Sequence, residues 1–289
     1  MPEYGGYLPG KVYDTMKVYE LHPVAFHPDI VMDAYIPEII THHHEQLEMP
    51  AMLILPGGAY KFHSPNECEQ TALRFVGEGF AAFVLRYSVD QEAAFPKPLI
   101  DASEALWFIR KHAEEYHIHP NRITVMGFSA GAHLASALCT MWHYEELQHE
   151  DMPFGGNRPD ASVFGYLPTT FEDMYEKTKD IPGFQLHVLG ESGRFSDVRS
   201  LTTDNKIDDR TPPAFLWKTT MQVPESTFQY ADGLKAAGVP YEVHVFMEHS
   251  VVTGTMDGYT CAKNTKLWVT LALNWLRELF GIEDQPFKA

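Results

Sequence analysis

Nowhere in the 289 residues is there an uninterrupted apolar run long enough to cross a bilayer, which takes about 20 residues of helix. No membrane-spanning segment is expected. Basic residues are also scarce: 22 Lys and Arg stand against 39 Asp and Glu, leaving a formal net charge of -17. Such a surface repels polyphosphates and anionic lipid, so neither nucleic acid nor a membrane is expected as a partner. Cysteine is limited to Cys68, Cys139 and Cys261, an odd number without metal-ligand spacing. They read as small buried hydrophobes in a reducing compartment, not as a disulfide framework or a nucleophile. The opening MPEYGGYLPGKVYD has neither a basic start nor the apolar stretch of a secretory leader, and the expectation is a soluble cytoplasmic protein. Repeats and low-complexity linkers are lacking too. With 45% hydrophobic content over this length, one full core is affordable, and a single domain over 1–289 is expected.

What is present centres on Gly127-Phe128-Ser129-Ala130-Gly131. The preceding Arg122–Met126 is β-branched and apolar, and the following Ala132–Trp142 is rich in Ala and Leu, so a strand enters a helix through a five-residue turn. Small residues at 127, 130 and 131 let the two backbones pass closely, lifting the Ser129 hydroxyl above the sheet as a nucleophile elbow. The Ala130 N–H then lies at a helix start, where the helix dipole favours a developing oxyanion. Five residues of this pattern recur by chance. Their position between strand and helix is what gives them meaning.

Strands are expected at Thr15–Leu21, Ile30–Ile36, Ala51–Leu55, Ala81–Leu85, Ala161–Leu167, Ala214–Thr219 and Tyr241–Phe246. Helices are expected over Glu67–Gly77, Leu99–Tyr116, Ser226–Ala237 and Cys261–Phe280, the last with Trp268, Leu271, Trp275, Leu276 and Leu279 on one side. The fully apolar strands fit a mostly parallel central sheet covered by helices on both faces, an α/β architecture. In such sheets ligands bind at the carboxyl ends of the strands. There the sequence places the loop after Leu55, the elbow, and the loops after Thr219 and Phe246. The irregular stretch 168–213 reads either as a partial lid or as a surface excursion with short helices of its own. His42-His43-His44 reads as a solvated loop, because consecutive histidines point apart and no partner cluster follows. No cofactor or metal is expected.

LPGGAY at 55–60, FVLRYSV at 83–89, the long block at 95–136, TPPAFLW at 211–217 and GVPYEVHVFMEH at 238–249 resemble the α/β-hydrolase superfamily, and within it small carboxylesterases related to acetyl and acetyl-xylan esterases. The resemblance runs from about residue 50 to the C-terminus. It implies serine acyl transfer on a small-molecule ester, with Ser129 as nucleophile and the N–H groups of Gly58, Ala59 and Ala130 as the oxyanion hole. It says nothing of oligomeric state.

Two departures accompany the resemblance. Where the family places its triad acid, this chain reads Thr219-Thr220-Met221-Gln222-Val223-Pro224, and Thr220 occupies the acid's position. Asp173 and Glu225 are the substitutes that keep the chain order. Asp208 and Asp209 precede the strand and would lie far from its other end. Where the family places its base, the chain reads Phe246-Met247-Glu248-His249-Ser250-Val251. Ungapped, the histidine position falls on Val251; with a two-residue deletion it falls on His249, the preferred base. His133 is expected to pack inside the elbow helix and His63 at most to line the pocket. Tyr60 and Trp217 could contact a sugar face or belong to the core. The readings are a serine carboxylesterase for short acyl, acetyl-type esters, including acetylated sugars; a hydrolase scaffold that binds without turnover; and the same chemistry on another bond, as in related formamidases or peptidases. The peptidase version is disfavoured, as no propeller is seen.

Overall fold

The computed structural model describes residues 16–37, 48–171, 188–220, 225–247 and 265–282. Among them, eight strands form one sheet: β1 (Met16–Leu21), β2 (Val31–Pro37), β3 (Met49–Leu55), β4 (Ala81–Arg86), β5 (Ile118–Phe128), β6 (Ala161–Gly165), β7 (Ala214–Thr219) and β8 (Tyr241–Phe246). Their spatial order is β1-β2-β4-β3-β5-β6-β7-β8. β2 runs antiparallel to both neighbours, and every other pairing is parallel.

The central strands are buried on both faces, which explains their unbroken apolar text. In β3, Ala51, Leu53 and Leu55 enter one core while Met52 and Ile54 enter the other. The first core is closed by α2 (Lys97–Lys111), α3 (Ala130–Met141) and α4 (Ser226–Ala237), through residues such as Leu99, Leu106, Leu134, Leu138, Tyr230 and Leu234. The second is closed by α1 (Glu69–Val76) and α5 (Leu267–Phe280), through Phe75, Trp268 and Leu276. Each large apolar side chain taken fully from water contributes roughly 1.5–3 kcal/mol.

Several boundaries differ from the sequence reading. α2 stops at Lys111 instead of running to Tyr116, because the chain must reverse into β5, where the Ile118 N–H bonds to the Ala113 carbonyl at 2.7 Å. β5 starts four residues early: Met49 pairs with Ile118 across a register shift before regular pairing resumes at Ala51. β6 ends at Gly165 because Tyr166 turns to φ +42. The buried stripe of α5 is Trp268, Val269, Ala272, Leu273 and Leu276, whereas Leu271, Trp275 and Leu279 sit half-buried at its edges. Cys68 and Cys139 are buried free thiols, and Cys261 lies outside the described residues.

This strand order positions the site. From β3 the chain crosses by α1 to β4 on one side, and β5 lies on the other side of β3 and departs through α3 on the opposite face. Neighbouring connections that leave to opposite faces open a crevice at the carboxyl ends of β3 and β5, the switch point of an open α/β sheet.

Candidate active site

Ser129 stands at that crevice, between the last residue of β5 and the first of α3. Its backbone has φ +50 and ψ -118, a conformation that costs a non-glycine residue roughly 1–3 kcal/mol and persists only where its surroundings enforce it. Here the Ser129 N–H donates to the Gly165 carbonyl at 3.1 Å, and the Ser129 carbonyl accepts the His133 N–H at 3.0 Å. Close approach explains the glycines on either side. A Cβ on Gly131 would lie 2.0 Å from the Leu55 carbonyl oxygen, and one on Gly127 would lie 2.2 Å from the Gly131 oxygen. Ser129 is half-buried. Ala130, as first residue of α3, has an N–H without an acceptor inside its own helix.

The turn after β3 lies against this elbow, because β3 and β5 pair with Leu55 opposite Gly127. Gly58, Ala59 and Tyr60 all have positive φ, at +131, +54 and +57. The turn is closed by Lys61 N–H to the Gly58 carbonyl at 2.9 Å and Ser64 N–H to the Gly57 carbonyl at 2.9 Å. The Gly57 N–H donates to the buried carboxylate of Glu67 at 2.6 Å. Among the described residues no acceptor takes the N–H of Gly58 or Ala59. They remain available to a ligand.

His133 lies one turn into α3 and is fully buried. Its Nε2 is 2.7 Å from the Leu201 carbonyl, which can only accept, so Nε2 carries the proton. Nδ1 therefore accepts the Tyr60 hydroxyl at 2.9 Å. Burial lowers the His133 pKa to about 4, keeping the ring neutral. His133 thus packs, as its place in the helix suggests. Tyr60 and Trp217 are 1% and 0% exposed, which corrects the idea that they meet a sugar face. Tyr60 is held by Phe95, Phe171 and the His133 ring, while Trp217 stacks on Trp268 with centroids 4.9 Å apart. Large flat side chains next to a sheet end filled the core instead. His63 is half-buried beside Tyr87, and burial lowers its pKa to about 4.

His249, Val251 and Asp173 lie outside the described residues, as does the triplet His42-His43-His44. Thr220 is exposed, its N–H donating to the Phe246 carbonyl at 2.9 Å in continuation of the β7 and β8 pairing. Glu225 is exposed at the start of α4, where its carbonyl accepts the N–H groups of Phe228 and Gln229. The Asp208 carboxylate is engaged by Arg210. Within the stretch 168–213, the described part carries three short 3-10 helices at 194–196, 198–201 and 204–206. It seats Leu201 and Phe195 in the core beside α3. Among the described residues, no cluster of three metal-ligating side chains occurs, and no helix is long and apolar enough to cross a membrane.

The sequence reading missed Glu67 and Tyr166. Glu67 is 3% exposed and its second carboxylate oxygen accepts the Tyr166 hydroxyl. An acidic residue at a helix start reads as a solvated dipole partner, and only the tertiary fold reveals its burial.

The sequence profile of the BD-FAE family matches residues 32–224. The Endo-1,4-beta-xylanase B of Butyrivibrio fibrisolvens is 29% identical over 221 residues, 73% of this chain and 34% of that protein. The Acetylxylan esterase of Xylanibacter ruminicola is 26% identical over 240 residues, 79% of this chain and 45% of that protein. The chain thus spans between a third and a half of the length of these curated relatives. Among solved structures, the acetyl ester-xyloside bifunctional hydrolase from Caldicellulosiruptor lactoaceticus superposes with a TM-score of 0.74 at 29% identity, covering 92% of this chain and 97% of that one. An alpha/beta hydrolase enzyme from a Medee basin deep-sea metagenome library gives 0.69 at 28%, covering 93% and 100%. The sheet and its flanking helices are those of an α/β hydrolase.

Proposed function

The chain belongs to the BD-FAE family, and on that footing we propose that it is a serine carboxylesterase hydrolysing short-chain, acetyl-type esters, with acetylated sugars among its substrates. The observation that carries this reading is the strained Ser129 turn set against a second turn with free N–H groups. The relatives named acetylxylan esterase and acetyl ester-xyloside hydrolase support the acyl and sugar parts.

In this reading the Ser129 hydroxyl attacks the ester carbonyl while His249 removes its proton. The carbonyl oxygen, now negative, is held by the N–H groups of Gly58, Ala59 and Ala130. Such donors contribute most when fixed before the charge develops, and removing one typically costs about 10²–10³ in rate. His249 then protonates the leaving alcohol, and water enters by the same route in reverse to release the acid. No carboxylate is assigned as the third member. An imidazole without it still acts as base, at a much lower rate. On this proposal residues 1–289 form one catalytic domain, with 168–213 as either a partial lid insertion or a surface excursion.

The test is labelling by a fluorophosphonate, read by mass spectrometry, with hydrolysis of p-nitrophenyl acetate measured in parallel. Wild type should label at Ser129 and turn over. Ser129→Ala should lose both, and His249→Ala should lower kcat by up to about 10⁶, leaving only the residual acceleration of binding and the oxyanion hole. A folded wild-type protein that neither labels nor hydrolyses any short acyl ester would make the chain a binding scaffold.

A further inference from the structure

Glu67 is withdrawn from water to 3% exposure, and a carboxylate so placed needs its oxygens bonded. Both oxygens are. Oε2 accepts the Gly57 N–H at 2.6 Å, and Oε1 accepts the Tyr166 hydroxyl. These donors come from two different walls of the crevice. Gly57 opens the turn that carries Gly58 and Ala59. Tyr166 follows β6, sits at φ +42, and donates its N–H to the Trp217 carbonyl at 2.7 Å. The residue before it, Gly165, holds the Ser129 N–H. A single carboxylate therefore joins the turn to the strand end from which the serine is hung.

The fit leaves no slack. The point a Gly57 Cβ would occupy lies 2.8 Å from Glu67 Oε2 and 3.2 Å from the Ser129 Cβ, so carboxylate and serine flank one space too small for a methyl group. A buried carboxyl oxygen that accepts the Gly57 N–H while its other oxygen is bonded by Tyr166 is suited to fix the direction of a peptide plane. With the Gly57 N–H turned toward Glu67, the next two N–H groups are left to face elsewhere.

We propose that Glu67 is the positioning residue of the oxyanion turn: through Gly57 and Tyr166 it sets the approach of the Gly58 and Ala59 N–H groups to the oxygen developing on the Ser129 adduct. The proposal rests on the esterase reading above for its chemistry but not for its geometry. Glu67 acts through the turn and does not touch substrate.

The experiment compares Glu67→Ala, Glu67→Gln and Tyr166→Phe in two readouts. One is the separation of kcat from KM on p-nitrophenyl acetate; the other is hydrogen exchange, by mass spectrometry, of a peptide covering 56–64. Glu67→Ala should lower kcat about 10²-fold with KM held within about threefold, the pattern of an interaction realised in the transition state. Exchange in 56–64 should quicken at least about tenfold, since opening of the turn becomes easier. Glu67→Gln retains an oxygen to accept the Gly57 N–H and should return kcat to within about tenfold of wild type, with near-native exchange. Tyr166→Phe removes the bond to Oε1 while leaving that to the Gly57 N–H, and should fall between them. Should Glu67→Ala fail to fold, the glutamine and phenylalanine variants decide the matter in the same two readouts. Native exchange and native kcat in the alanine variant overturn the proposal, as does a glutamine variant as loose as the alanine one. If the wild type hydrolyses no ester, the exchange arm still stands alone: quickened exchange upholds the clamp while the esterase reading falls.

Discussion

His133 shows how much one side chain at a time decides here. Its helix position suggests packing, and the structure adds two hydrogen bonds and a fixed tautomer. Burial holds its pKa near 4 against an ordinary 6.5. Between those values the unfolded chain binds the proton and the folded one does not, so stability is complete above about pH 6.5, declines as pH falls, and levels off below about 4. Moving from pH 7 to pH 5 should cost about 2 kcal/mol through this ring, seen as a lower urea midpoint. His133→Gln, which removes the titration, should show a flatter dependence over the same interval; an unchanged slope sinks the assignment. The residues that were hard to read from sequence share one cause. Tyr60, Trp217 and Glu67 have side chains whose type suggests contact with ligand or solvent, and only long-range packing sends them inward. Ser129 was readable because its requirement is local: glycine on both sides and a strand entering a helix.

At the scale of elements, the junction of β3, β5 and α3 tolerates least. Gly131→Ala would press a methyl group against the Leu55 backbone carbonyl, where no side chain can yield. We expect a loss of about 3 kcal/mol in unfolding free energy, and loss of fluorophosphonate labelling even in the fraction that folds. Thermal melts and labelling of the same sample check this. α5 offers the contrasting case. Trp268 stacks on Trp217 and touches Phe75 and Phe128, so Trp268→Ala should cost about 3–5 kcal/mol by emptying the second core. Denaturant unfolding measures it. Elements with continuous apolar text, such as β3, β4 and β7, were legible because burial on both faces leaves no other composition. Ends were less so, since a helix such as α2 stops where the chain must turn into β5, which is a matter of connection and not of local preference.

At the scale of the whole molecule, net charge bears on which ligands approach the surface. A net charge of -17 opposes an anionic substrate over distances set by salt screening. For two acetyl esters differing only by a carboxylate on the alcohol, kcat/KM should favour the neutral one. That preference should shrink as ionic strength rises from about 0.01 M, where screening lengths are near 30 Å, to about 1 M, where they are near 3 Å. A ratio insensitive to salt would remove electrostatics from the explanation. The sheet architecture was readable from alternating apolar runs, which also put the site at the carboxyl ends of the strands; the triad acid and base were not, because the text after β7 and β8 departs from the family pattern at Thr220 and Val251. The Tyr60–His133–Leu201 relay carries a final implication. One ring joins three stretches that leave the ribosome far apart in time, and its second partner is the backbone at 201. A nascent chain halted before that point holds the elbow sequence entire yet lacks the carbonyl that satisfies its imidazole, so completion of the core beneath the elbow belongs to the later part of synthesis.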